Sequence, residues 1–109
     1  MSKQRRRGNE LERNVAKALG GDRVGHYGGT DVVTEHWAVE CKSRQTVPKW
    51  LTDAVAQAAR HAGDGQTPLA VVHQLGARHD DDLVVMRRAD FIEWFGAIQK
   101  GQDNAQDQA

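Results

Sequence analysis

The stretch Thr30 to Lys42, TDVVTEHWAVECK, constrains this chain more than any other. Its β-branched and apolar residues read as two short strands, Thr30 to Val33 and Trp37 to Lys42, joined by a turn near Glu35 and His36. An antiparallel pair with an even turn centred on Glu35 and His36 sets the register: Thr34 opposite Trp37, Val33 opposite Ala38, Asp31 opposite Glu40. Directly opposed Cβ atoms stand about 5 Å apart. Two carboxylates at that distance repel by about 3 kcal/mol at an effective dielectric of roughly 20, so an ordinary sheet avoids the pairing. A divalent cation reverses the argument, because hard cations require clustered carboxylate oxygens. Alternation along the strand also places Lys42 on the face of Glu40, with Val39 and Cys41 on the other. Two acids and an ammonium are therefore expected to converge on one spot.

With 109 residues the chain is expected to form one domain with a modest core, which a partner subunit would help to stabilise. Fifteen basic and fifteen acidic residues cancel, so bulk charge identifies no partner; their distribution says more. Residues 1 to 62 carry eleven Lys or Arg against seven acids, and residues 63 to 109 carry four against eight. A basic first half, three of whose acids are assigned to metal, suits a polyanion. A single cysteine excludes an internal disulfide and fits a reducing compartment. No apolar run approaches the ~18 residues needed to span a membrane, and the start of the chain lacks the apolar core of a signal peptide. A cytoplasmic protein without membrane contact is the expectation.

The rest of the chain frames the hairpin. Residues 1 to 8 read as a flexible basic arm containing Lys3, Arg5, Arg6 and Arg7, either solvated or in contact with phosphates. Asn9 to Leu19 reads as a helix capped by Asn9 and stopped by Gly20-Gly21, with Leu11, Val15, Ala18 and Leu19 as its apolar stripe. At about 100° per residue, Glu12 lies roughly 75° from the centre of that stripe and Glu10 roughly 125° away on the other side, facing water. Glu12 has two readings: a capping-box partner of Asn9, or an acid looking inward along the core edge. Asp22 to Tyr27 reads as a first strand, and Gly28-Gly29 as a turn that lets backbone approach a ligand.

After the hairpin, Pro48 opens a helix running to Ala62 and ending at Gly63, with Leu51, Ala54, Val55, Ala58 and Ala62 inward and Gln57 beside them. Thr67 to His73 reads as a buried central strand and Leu83 to Met86 as another. Asp90 to Ile98 reads as a closing helix whose Phe91, Ile92, Trp94, Phe95 and Ile98 exceed what one small face buries, a hint of a dimer contact beside ordinary core packing. Residues 101 to 109 are polar and expected to be disordered, leaving 9 to 100 as the folded domain. The expected order is α-β-β-β-α-β-β-α, an α/β fold. Asp80-Asp81-Asp82 reads as solvated surface rather than a second metal site. His26, His36, His61, His73 and His79 show no zinc spacing with one another or with Cys41, which reads as a small core residue.

Acids and a lysine clustered on a sheet suit metal-assisted hydrolysis of a phosphodiester. Asp31, Glu40 and the main-chain carbonyl of Cys41 would hold Mg²⁺, and Glu12 would complete that shell or hold a second ion about 4 Å away. Lys42 would position the attacking water and stabilise the pentacovalent state, a task for which a compact ammonium suits better than a guanidinium. Thr30 and Gln57 are candidates for supporting roles. Arg5, Arg6, Arg7, Arg13, Arg44 and Lys49 are the candidate DNA contacts.

Asp31-Val32-Val33 followed by Ala38-Val39-Glu40-Cys41-Lys42 resembles the D…(D/E)XK signature of the PD-(D/E)XK nuclease superfamily. The segment RRGNELERNVAKAL is similar to the first helix of the archaeal-type Holliday junction resolvases, whose glycine-then-acid spacing falls on Gly8 and Glu12. The resemblance spans about residues 5 to 75, and Thr30 stands where the motif's proline would be. It implies a restriction-endonuclease-like fold with a central mixed sheet flanked by helices, catalysis by Glu12, Asp31, Glu40 and Lys42, and dependence on Mg²⁺, with Mn²⁺ as a substitute. It also implies a homodimer that makes paired nicks across a four-way DNA junction, of the kind a phage or an archaeon would encode. The alternatives are another endonuclease of the superfamily (nicking, DNA-end or restriction-like) and a non-catalytic DNA-binding module of the same fold.

Overall fold

Helix α1, Lys3–Leu19, begins earlier than its apolar stripe requires because Ser2 supplies the cap: its extended backbone turns the chain in, and its hydroxyl accepts from the Arg5 amide at 3.1 Å. The structure, a computed structural model, describes residues 2–24 and 30–96. Residues 3 to 8, expected as a flexible arm, are thus the first turns of the helix, and Asn9 is not its cap. The helix stops as its glycines predict. Gly20 takes the left-handed conformation, φ 70°, and its amide and that of Gly21 return to the Ala16 carbonyl. Gly21 lies so close to the sheet that a Cβ there would stand 2.6 Å from the Val33 carbonyl oxygen.

Three short strands follow, β1 (Asp22–Arg23), β2 (Val32–Val33) and β3 (Ala38–Val39), in an antiparallel sheet of order β1-β2-β3. The first strand is shorter than expected among the described residues, and the Gly28-Gly29 turn lies outside them. Val32, completely buried, packs with Val15 and Ala16 of α1, and Leu11, Leu19, Val39 and Cys41 close around them. This small cluster holds helix to sheet by apolar burial.

Helix α2, Lys49–His61, starts after Pro48, whose fixed φ and missing N–H suit the entry to a helix. Its inward stripe is as predicted, with Val55 buried and Leu51, Ala54, Ala58 and Ala62 half-buried. It ends at His61, with Ala62 as cap rather than Gly63. The helix packs on β4 (Ala70–Val72), which pairs antiparallel with β5 (Leu83–Val85) in the register Ala70 to Val85, Val71 to Val84 and Val72 to Leu83. The 3₁₀ turn His79–Asp81 lies in the connection. Residues 88–96 are again helical, and there Phe95 meets Trp37 edge-on at 5.8 Å while Trp94 is largely exposed.

The chain is therefore a small α/β structure, and it divides into two compact units, Met1–Gln45 with Ile92–Ala109, and Thr46–Phe91. Two expectations are corrected. The described strands form two antiparallel sheets rather than one mixed sheet, and the strand expected at 67 to 73 is not buried at a sheet centre. Only Ala70 of β4 is buried, whereas Val71 is 63 % exposed, because β4 has one partner strand and α2 covers one face. A continuous apolar run looks the same in sequence whether one face or both are covered. No helix among the described residues is long and apolar enough to cross a membrane. Ile98 and the expected disordered tail lie outside the described residues.

Candidate active site

The β2-β3 hairpin has the register that its residues predict: Val32 opposes Val39, Val33 opposes Ala38, and the Thr34 amide donates to the Trp37 carbonyl at 2.9 Å. The turn is fixed by Thr34, a buried residue whose hydroxyl oxygen accepts from the His36 and Trp37 amides at 3.2 and 3.0 Å. Asp31 and Glu40 are the next residues beyond the last opposed pair, but the ladder does not run on regularly to them. The Asp31 amide reaches the Val39 carbonyl at 3.0 Å, and the Asp31 carboxylate accepts from the Cys41 amide at 2.8 Å. Asp31 is thereby folded over the end of β3 and held beside the Glu40-Cys41 peptide.

Glu40 and Lys42 lie together, 3.6 Å apart, with both side chains more than half exposed. Such a pair contributes little to stability. Val32 and Val39 face α1, so alternation turns Glu40 away from that helix. Glu12 comes from the helix side. Its Oε2 is held not by the Asn9 amide, as a capping box would have it, but by Arg23, at 2.7 Å from Nη2 and 3.2 Å from Nε. The same Nη2 donates to Asn9 Oδ1 at 3.2 Å, so one guanidinium clamps the two residues that the sequence pairs as a box. Glu10 is exposed, as its angle on the helix predicts.

Cys41 reports the electrostatics of this corner. Burial against the core raises its thiol above the ordinary range, and the negative charges of Asp31, Glu12 and Glu40 raise it further. All three acids act on one sulfur atom, although their oxygens are not among the groups of three that lie within 4.8 Å of one another. By type, carboxylates and a main-chain carbonyl are donors that suit Mg²⁺, and to share one ion the oxygens of Asp31, Glu40 and Glu12 would have to draw closer together than they stand. Thr30 is half-buried at the head of the hairpin, and Gln57 is exposed on α2 in the second unit.

The early start of α1 changes the meaning of its cations. At about 100° per residue, Lys3, Arg6, Arg7, Arg13 and Lys17 fall within about 120° of one another, with Arg7 at the edge of the apolar stripe and the other four on the side away from it. All five are exposed, and Glu10 is the acid among them. What reads as a charged end followed by scattered charges is one basic ridge about 21 Å long. Lys3 and Lys17 enter this set only once the helix is seen to be continuous, and the signal for it was Ser2 three residues ahead of Arg5. Arg5 is exposed on another side of the helix. Arg44 is exposed and donates to the neighbouring Ser43 carbonyl, and Lys49 is engaged by Asp53 at 2.6 Å, one helical turn on.

A second cluster of ligand-type side chains lies where the sequence gives no zinc spacing. His73, His79 and Asp82 place a ligand atom each within 4.8 Å of the others. Asp82 therefore does not share the solvated fate expected of the Asp80 to Asp82 run; its side chain is 18 % exposed, while Asp80 and Asp81 are exposed. The signal that finds it is register: pairing Val72 with Leu83 makes His73 and Asp82 the next facing positions.

Compared with family models, with curated proteins and with solved structures, the chain matches none.

Proposed function

We propose that the protein is a Mg²⁺-dependent, structure-selective DNA endonuclease of the restriction-endonuclease-like kind, cutting four-way junctions by phosphodiester hydrolysis. The observation that carries this reading is the hairpin register, which brings Asp31 to the Glu40-Cys41 peptide and leaves Lys42 beside Glu40. Asp31, Glu40 and the Cys41 carbonyl are the groups that would hold Mg²⁺ or Mn²⁺, with Glu12 as a further donor. When bound, such an ion neutralises charge on the scissile phosphate and acidifies a water.

The chain's own residues do the remaining work. The Cys41 amide fixes one oxygen of Asp31 and leaves the other as an acceptor. Arg23 fixes Glu12, and the exposed Lys42 ammonium beside Glu40 would hold an attacking water and balance charge on the phosphate. The ridge of Lys3, Arg6, Arg7, Arg13 and Lys17 gives backbone phosphates a positive track of about six base pairs, at ~3.4 Å per pair. A homodimer is supported by the apolar side chains of Leu69, Val71 and Val84, all exposed on the second unit.

The test is incubation of the purified protein with Mg²⁺ and, in parallel, labelled four-way junction, flap, single-stranded and linear duplex DNA. Paired nicks confined to the junction are the expected result. Cutting of flap or duplex instead makes it another endonuclease of this kind, and binding without any metal-dependent cutting makes it a DNA-binding module.

A further inference from the structure

The second unit carries a group of side chains that the nuclease reading does not use. His73 follows β4 and Asp82 precedes β5, so the Val72 to Leu83 register makes them the next facing pair, with His73 Nδ1 2.5 Å from Asp82 Oδ1. His79 reaches the same carboxylate by another route. It opens the 3₁₀ turn His79–Asp81, and a helix of three residues per turn eclipses side chains three apart, which brings His79 over Asp82 with Nδ1 3.6 Å from Oδ2. The two imidazoles stack, with centroids 4.4 Å apart and planes 22° from parallel. Both rings therefore turn the same edge to one carboxylate, a nitrogen to each oxygen.

We propose that His73, His79 and Asp82 form a binding site for a divalent transition-metal ion of the Zn²⁺ class. His73 takes one oxygen of Asp82, and separate local geometry brings a second ring to 3.6 Å from the other oxygen, too long for a hydrogen bond and of the size that separates two ligands of one ion. Ligands about 2.1 Å from a tetrahedral ion stand about 3.4 Å from one another. The His79 contact already has that spacing, the His73 contact needs to open by about 0.9 Å, and the exposed His79 ring needs to tilt out of its stack so that both Nδ1 lone pairs meet one ion. Two imidazoles and one carboxylate select Zn²⁺, Ni²⁺, Co²⁺ or Cu²⁺ over Mg²⁺, which prefers oxygen donors and keeps its water. His73 and Asp82 are mostly covered whereas His79 is 85 % exposed, so the site has two fixed ligands, one at the surface, and a fourth position open to water or a ligand. An ion there would tie the two ends of the β4-β5 connection to its middle. The proposal is independent of Mg²⁺ chemistry in the first unit.

The test uses the untagged full chain. Zn²⁺ is titrated in competition with a chromophoric chelator, and Co²⁺ uptake is followed by its visible absorption, with a tenfold excess of Mg²⁺ present. The expected result is one Zn²⁺ held at micromolar concentration, a rise in the thermal midpoint on adding Zn²⁺, and affinity reduced about tenfold or more in both His79→Ala and Asp82→Asn. His79 is exposed, so its truncation leaves the fold in place, and His61→Ala, an exposed histidine outside the cluster, is expected to bind as the wild type does. Zn²⁺ bound equally well by His79→Ala, uptake abolished by Cys41→Ser instead, or no uptake by the wild type would each overturn the proposal.

Discussion

Each unit contains a hairpin that ends on two polar residues, one step beyond its last opposed pair: Asp31 with Glu40 after Val32 and Val39, and His73 with Asp82 after Val72 and Leu83. The second pair is complementary and closes on itself at 2.5 Å. The first is like-charged and does not close; Asp31 turns to the Cys41 amide and Glu40 to Lys42. A complementary pair contributes to the hairpin whether or not an ion is present. The like-charged pair relies on the Cys41 amide and the Lys42 ammonium for compensation and leaves further carboxylate oxygens open to a ligand, and that is the physical ground for proposing a cation site in the first unit.

The largest effect that separates the two hairpins is on cleavage. Asp31→Asn and Glu40→Gln are each expected to slow Mg²⁺-dependent junction cutting by about a hundredfold or more, read from labelled strands, with junction binding kept or tightened. Truncating the His73 pair is expected to leave cutting nearly unchanged. If cutting survives either change at the first hairpin, the distinction between the two is broken.

Next is DNA affinity. Replacing Arg6, Arg13 and Lys17 together by alanine should weaken binding to every sequence and lower the salt dependence by about 2.7 in log-log slope, at ~0.9 per phosphate contact. An unchanged slope removes the α1 ridge from the interface.

Stability sharpens the same contrast with opposite signs. His73→Ala leaves the mostly covered carboxylate of Asp82 without its closest partner and is expected to cost about 1 to 3 kcal/mol, seen as a lower urea midpoint. Asp31→Asn relieves repulsion and keeps an oxygen for the Cys41 amide, so without metal its midpoint should match or exceed the wild type. Equal losses in both variants would show that the two pairs are energetically alike.

The smallest effect concerns Cys41. Its folded thiol is raised by burial and by Asp31, Glu12 and Glu40, so below the ordinary thiol range both folded and unfolded chains keep the proton and stability does not depend on this group. As pH climbs through that range the unfolded chain ionises first, and stability should fall until the folded thiol ionises too. Cys41→Ser should remove this alkaline slope; a slope retained in that variant assigns it to other groups.

The sequence carried the first hairpin because everything needed was local: an even turn, Thr34 to fix it, and two valines to choose the buried face. Gly20 and Pro48 marked helix ends for equally local reasons. What escaped was set by non-local geometry. The cap at Ser2 was hidden by a run of cations that reads as an unfolded end, although the helix dipole does not forbid cations in a first turn whose Arg5 amide the Ser2 hydroxyl satisfies. Glu12 has its partner in Arg23, eleven residues away on another element. The meeting of His73 with Asp82 depends on how the β4-β5 connection closes, and His73-x₅-His79 matches no ligand spacing on a helix or strand.

Hydrolysis at the first hairpin requires its acids to hold a divalent cation. Mn²⁺ binding, followed by loss of the free-ion electron paramagnetic resonance signal, tests it most directly, in a His79→Ala background so that the second hairpin does not contribute. Mn²⁺ is expected to bind and to be displaced by Mg²⁺, and Asp31→Asn combined with Glu40→Gln is expected to abolish binding. Mn²⁺ held equally well after both substitutions, or not held by the unsubstituted hairpin, would contradict it.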